Sequence, residues 1–168
     1  MAQVDIANIK TQIKSILDAA NTTTGSPIDL SAGMNTRVQQ VLKIHPLKIA
    51  VDPGSFPFVS MYVDSKEIEQ ITMGHKGSQA SALRQAELII NIACAVQEPL
   101  ITTVREDQGD ENCEQLMENV EEILRSNTNL NSSIDWCFPE TAQYHDEPWD
   151  ERNFIRGAIL PLRCKVFY

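Results

Sequence analysis

No stretch of this chain is long and apolar enough to cross a bilayer. The longest uncharged apolar run, Leu88 to Val96, is broken by Asn91 and falls far short of the roughly 20 residues a spanning helix needs. A basic run is missing too, so the cations that displace phosphate counterions in tight nucleic-acid binding are absent. Met1-Ala2-Gln3-Val4-Asp5 has neither the basic flank nor the apolar core of a signal peptide, which makes the cytosol the default expected address. GxSxG, GxxxxGK[ST], HExxH and GxGxxG are all absent, removing the commonest sequence routes to a serine hydrolase, an NTPase, a zinc protease or a dinucleotide enzyme. The expectation is a chain with no enzymatic activity, no catalytic residue, no cofactor and no resident metal.

What is present is a globular composition. The 168 residues are 42% hydrophobic and 22% charged, enough apolar material for one folded domain, or one domain with a short arm. The net charge of −9 is unevenly placed: residues 1–100 carry 9 acids against 8 bases, and residues 101–168 carry 14 against 6. Cys94, Cys113, Cys137 and Cys164 are too widely spaced for a zinc knuckle or a redox dithiol motif, and their apolar neighbours mark them as small buried hydrophobes.

The apolar periodicity predicts a first helix from Val4 to Ala20, carried by Ile6, Ile9, Ile13, Ile16 and Leu17. The breakers Asn21 to Pro27 end it, and an extended arm is expected through Gly33. Residues 1–33 therefore read as an N-terminal helix and arm, and 34–168 as the main domain. Val38, Val41 and Leu42 fit either a helical turn or a strand. Phe56 to Val63 alternates as a strand, with Pro57 at its start or at a sheet edge, and Glu67 to Met73 reads as the returning partner, closed by Gly74-His75-Lys76-Gly77. Glu87 to Val96 favours a buried strand, although a helix beginning near Ala80 is also compatible. Cys113, Leu116, Met117, Val120, Ile123 and Leu124 form one stripe of a helix over Asp110–Arg125, capped by Asp107 or Asp110, with Glu121 and Arg125 paired near its end. Ser133 to Phe138, a proline-interrupted acidic loop, and a long strand from Phe154 to Tyr168 complete the chain. In that last strand Phe154, Ala158, Leu160, Leu162, Cys164, Val166 and Tyr168 share one face, with a bulge or sheet edge expected near Pro161. The order predicts an α+β fold: a mostly antiparallel sheet with helices packed on one face.

Few residues suggest chemistry. Asp52 followed by Asp64-Ser65-Lys66 has the residue types of a metal-dependent nuclease, in which carboxylates hold Mg²⁺ and a lysine orients water. The pattern is short, however, and ordinary turn polars account for it. Tyr144-His145-Asp146-Glu147-Pro148-Trp149-Asp150-Glu151 crowds four carboxylates around one histidine but lacks calcium-loop spacing, so it reads as a solvated acidic loop. Trp149, an aromatic among charges, either tucks beneath that loop or anchors a partner. His45, His75 and His145 lie far apart in sequence, and each reads as structural or solvent-exposed.

The second half has a distinctive cadence. The helix end Glu122-Ile123-Leu124-Arg125-Ser126-Asn127-Thr128-Asn129-Leu130 leads to the aromatic strand Ile134-Asp135-Trp136-Cys137-Phe138-Pro139. An acidic loop follows, and then the closing strand Arg156-Gly157-Ala158-Ile159-Leu160-Pro161-Leu162-Arg163-Cys164-Lys165-Val166. With Pro57-Phe58-Val59-Ser60-Met61-Tyr62-Val63 upstream, this resembles the tail terminator (tail-completion) and neck proteins of tailed bacteriophages over roughly residues 40–168. The resemblance implies a structural virion protein assembled in the host cytoplasm. It would form a homohexameric ring that caps the head-proximal end of the tail tube, ends tube polymerisation and joins the tail to the head. Its implied partners are further copies of itself, the tail tube protein, the head–tail connector or neck protein, and a sheath protein; DNA passes through without specific binding. On this reading Trp149, Tyr144, Phe154 and Arg156 are the partner interface, while Asp146, Glu147, Asp150 and Glu151 line an acidic lumen. A tethered N-terminal helix docking on a neighbouring subunit is a further expectation, against simple packing on its own sheet. A cytosolic interaction adaptor is the alternative class, and a metal-dependent nuclease the distant one.

Overall fold

The computed structural model describes residues 4–21, 29–30, 36–49, 53–71, 83–99, 108–148 and 153–167. The first helix, α1 (Ile6–Asn21), starts where the Asp5 carboxylate accepts the Asn8 N–H at 2.9 Å. Its stripe of Ile9, Ile13, Ile16 and Leu17 is buried in the same core as the sheet. The helix thus packs on the sheet of its own chain.

Among the described residues, the short strands β1 (Asp29–Leu30) and β2 (Thr36–Arg37) pair only with each other. The main sheet contains β3 (Gln40–Leu42), β4 (Phe58–Ile71), β5 (Leu83–Pro99), β6 (Trp136–Pro139), β7 (Gln143–Pro148) and β8 (Asn153–Phe167), and α2 spans Gln108–Ser126 between β5 and β6. Strand order is β3-β4-β5-β8-β6, with β7 also paired to β8, and every pairing is antiparallel except β3 with β4. The fold is α+β, and both helices share the core cluster formed by one face of the sheet.

Leu88, Ile90 and Ile92 of β5, Leu160 and Leu162 of β8, and Leu116 and Leu124 of α2 are fully buried there. Each contributes about 1.5–3 kcal/mol through removal from water. The odd-numbered residues of β8 turn to the opposite face, as the sequence alternation predicts.

Three local features depart from the sequence reading. Glu67 to Ile71 does not return as a separate strand: β4 runs straight through, with Val63 opposite Ile90 and Ser65 opposite Ile89, so Asp64 is a bulge. Residues 64–66 are accordingly strand rather than turn. Gln143–Pro148, read as loop, is a ladder partner of β8. Pro161 lies inside the sheet, not at its edge. Its carbonyl accepts the Glu140 N–H at 2.8 Å, so its donor-less nitrogen also faces the break between β6 and β7, where no ladder bond is lost.

Between α2 and β6 the chain reverses through Leu130, Asn131 and Ser132, with φ of 44°, 57° and 65°. Leu130 is fully buried, and Asn131 Nδ2 donates to Gln12 Oε1 of α1 at 3.1 Å.

Candidate interaction face

The face of the sheet turned away from the helices divides into an apolar half and a charged half. Along β8 the residues on this side run Ile155, Gly157, Ile159, Pro161, Arg163, Lys165; along β5 they run Ala95, Ala93, Asn91, Ile89, Glu87. The small residues Ala93, Ala95 and Gly157 leave a trough where larger side chains would fill the space. The trough is a groove of about 390 Å³ whose rim carries His45, Leu47, Tyr62, His145 and Glu147. Its end is closed by a small cluster of Phe56, Phe58 and Ala95 with Ile49 and Ile155.

Each rim residue is set by local structure. His45 caps the short 3-10 turn Pro46–Lys48 by accepting the Leu47 N–H on Nδ1 at 3.2 Å, and its ring lies 4.2 Å from that of Tyr62. That turn lifts Leu47 into solvent at 83% exposure. His145 of β7 sits directly over Gly157: a Cβ at Gly157 would stand 2.5 Å from His145 Nε2. The two histidines that lie far apart in sequence therefore share one groove, a pairing no sequence spacing could signal.

In the charged half, Arg163 bridges two carboxylates, Glu140 at 2.6 Å and Glu87, with Lys165 3.8 Å from the latter. These partners hold the Arg163 pKa above its ordinary value, the hydrogen bond to Glu140 foremost. Asn91 Nδ2 donates to Tyr62 Oη at 3.2 Å, linking the two halves. Beside this row, Trp136 and Phe138 stack with ring centres 5.9 Å apart, and the Arg125 guanidinium lies 4.7 Å from the Phe138 centre. Trp136 and Phe138 are both about two-fifths exposed.

The predicted interface residues fall elsewhere. Arg156 binds Asp110 of α2 and Asp146 of β7, each at 2.8 Å, and its guanidinium lies 5.7 Å from the Tyr144 ring centre. Its side chain is only 17% exposed. Arg156 is a clamp tying Asp110, in the first turn of α2, to β7 and β8, while the other cap candidate, Asp107, lies outside the described residues. Tyr144 and Phe154 are exposed at 40% and 37%, the former beside the clamp and the latter at the start of β8. Asp146 and Glu147 alternate on β7, so they lie on opposite faces, the first in the clamp and the second in the groove. Asp146 and Glu147 therefore do not share one face. Trp149, Asp150 and Glu151 lie outside the described residues, as do His75 and Asp52. Asp64 accepts from Asn91 Nδ2 at 3.4 Å, and among the described residues no group of three or more His, Cys, Asp or Glu is placed to hold a metal ion.

The two lateral margins of the sheet also differ. At the β3 margin α1 supplies the missing partners: Lys10, Lys14 and Asn21 donate to the carbonyls of Lys43, Val41 and Val38 at 2.5, 2.7 and 2.7 Å. β3 reaches only as far as Ser60, and among the described residues no strand pairs with the outer side of β4 from Met61 to Ile71. The opposite margin is formed by β6 and β7. Among the described residues no helix is long and apolar enough to cross a membrane. No protein-family model matches this chain, and a search of the curated proteins finds no match either.

Proposed function

We propose that this chain is a structural protein of a tailed-phage virion, a tail terminator or neck subunit. It forms a ring on the head-proximal end of the tail tube, stops tube growth and joins the tail to the head connector. The observation that carries this reading is that the sheet has two unlike margins, one the stretch Met61–Ile71 of β4, which no strand pairs among the described residues, and the other β6 with β7. Unlike complementary margins associate head to tail, and head-to-tail contacts generate rings when the rotation closes. The sheet face turned away from the two helices adds a second surface, its groove and its Trp136–Phe138 ledge suited to a tube or connector subunit. The partners are further copies of the chain, most simply six, the tail tube protein, the head–tail connector and, in a contractile tail, the sheath protein. DNA passes without specific binding, and an acidic surface keeps it mobile.

Light scattering over a concentration series, with negative-stain imaging of the same sample, tests the reading. Rings of about six subunits, alone or on added tail tubes, are expected. A chain that stays monomeric and does not cap tubes overturns it. That outcome favours the second reading, an interaction adaptor whose groove between Leu47 and His145 takes a short apolar segment.

A further inference from the structure

Cys137 of β6 and Cys164 of β8 stand directly opposite each other in the ladder, and both are fully buried on the helix-covered face. The Cys137 N–H donates to Thr128 O at 2.7 Å, away from β8, so the two residues form a narrow, non-hydrogen-bonded pair. Cα atoms in such a pair lie about 4.5 Å apart, inside the roughly 4.4–6.8 Å range that a disulfide spans. Both thiols are free. A hydrogen bond from Cys164 lowers the pKa of Cys137, while the same contact, with burial, raises that of Cys164. Cys94 and Cys113, on β5 and α2, differ: burial raises both, the second to about 12.

We propose that Cys137 and Cys164 are a dithiol site that closes to a cross-strand disulfide by exchange with a low-molecular-weight disulfide such as oxidised glutathione. The Cys137 thiolate attacks one sulfur of the small disulfide, forming a mixed disulfide and releasing one small thiolate. Cys164 then gives up its proton and attacks the Cys137 sulfur, forming the protein disulfide and expelling the second small thiolate. Two protein thiols are oxidised and one small disulfide is reduced to two thiols. Cys137 is the point of entry. It lies on a strand of only four residues at the sheet margin, the kind of element that opens locally without global unfolding. The bridge staples the strand bearing Trp136 and Phe138 to the sheet centre. This site goes beyond the ring reading and does not depend on it.

The test uses the full chain, reduced and then incubated without denaturant in glutathione buffers of increasing oxidising poise. The expected product loses about 2 Da, carries a Cys137–Cys164 cross-link in its peptide map, and keeps Cys94 and Cys113 free for alkylation after unfolding. Hydrogen exchange at the β6 amides slows about tenfold or more. Cys164→Ser is expected to trap glutathione on Cys137, while Cys137→Ser remains unmodified. The proposal is overturned if the native chain keeps all four thiols in fully oxidised glutathione, or if the linkage involves Cys94, Cys113 or a second chain. The wild-type measurement decides this even if either variant fails to fold.

Discussion

Leu130, Asn131 and Ser132 occupy the left-handed region in succession, and only asparagine among them tolerates it well. An L-residue there costs roughly 1–2 kcal/mol, while glycine gives back part of that in unfolded-state entropy. Ser132 is exposed, so Ser132→Gly should gain about 0.5–1 kcal/mol in urea unfolding. Leu130→Gly should instead lose several kcal/mol, since Leu130 fills the core. A second residue-scale outcome concerns Gly157. Alanine there must displace the His145 ring, so Gly157→Ala should cost roughly 1 kcal/mol alone and close to nothing in a His145→Ala background. An equal cost in both backgrounds would mean that the ring does not rest there. Arg156→Met leaves Asp110 and Asp146 facing each other without their cation and should cost roughly 1–3 kcal/mol. The clamp was not legible in sequence, because its three members lie on α2, β7 and β8; Arg156 reads there as an interface residue, with nothing to signal its two carboxylate partners.

Elements with a strong local period were legible. Both helices fall within two residues of their predicted ends, and the Glu121–Arg125 pair forms at 2.6 Å. The inward set Ala158, Leu160, Leu162 and Cys164 is fully buried, as the alternation requires. Two of the failures share one cause: polar tracts that suit turns become strand once a neighbouring ladder satisfies their backbone. Asp64-Ser65-Lys66-Glu67 looks like a hairpin turn, yet β5 is long enough to pair with both sides of it. Tyr144 to Pro148 looks like a solvated loop, yet β8 offers it a free edge. The groove was invisible for a different reason, since His45 and His145 meet only through the β4-β5-β8-β7 order. The bulge gives an element-scale test. Because Val63 and Ser65 face consecutive residues of β5, deleting Asp64 should leave the register intact and the chain cooperatively folded. Deleting Met61, which has a partner in the ladder, should send the following side chains to the wrong face and yield no cooperative transition in thermal or urea unfolding.

At the scale of the whole molecule, the charge of −9 opposes self-association, because every copy repels every other. Raising salt from about 50 to 500 mM screens that repulsion and should increase the mass seen by light scattering. A fall in mass with salt would mean that complementary ion pairs, rather than apolar contact, hold the subunits together. The strand order carries a consequence for synthesis. β8 is the last described element to be made, yet it lies between β5 on one side and β6 and β7 on the other. A nascent chain emerging from the ribosome therefore holds the long β5 and the short β6 and β7 with no shared partner until β8 follows. The β3-β4-β5 part of the sheet can pair as it is made, whereas β6 and β7 join it only in a later step, once β8 is available between them.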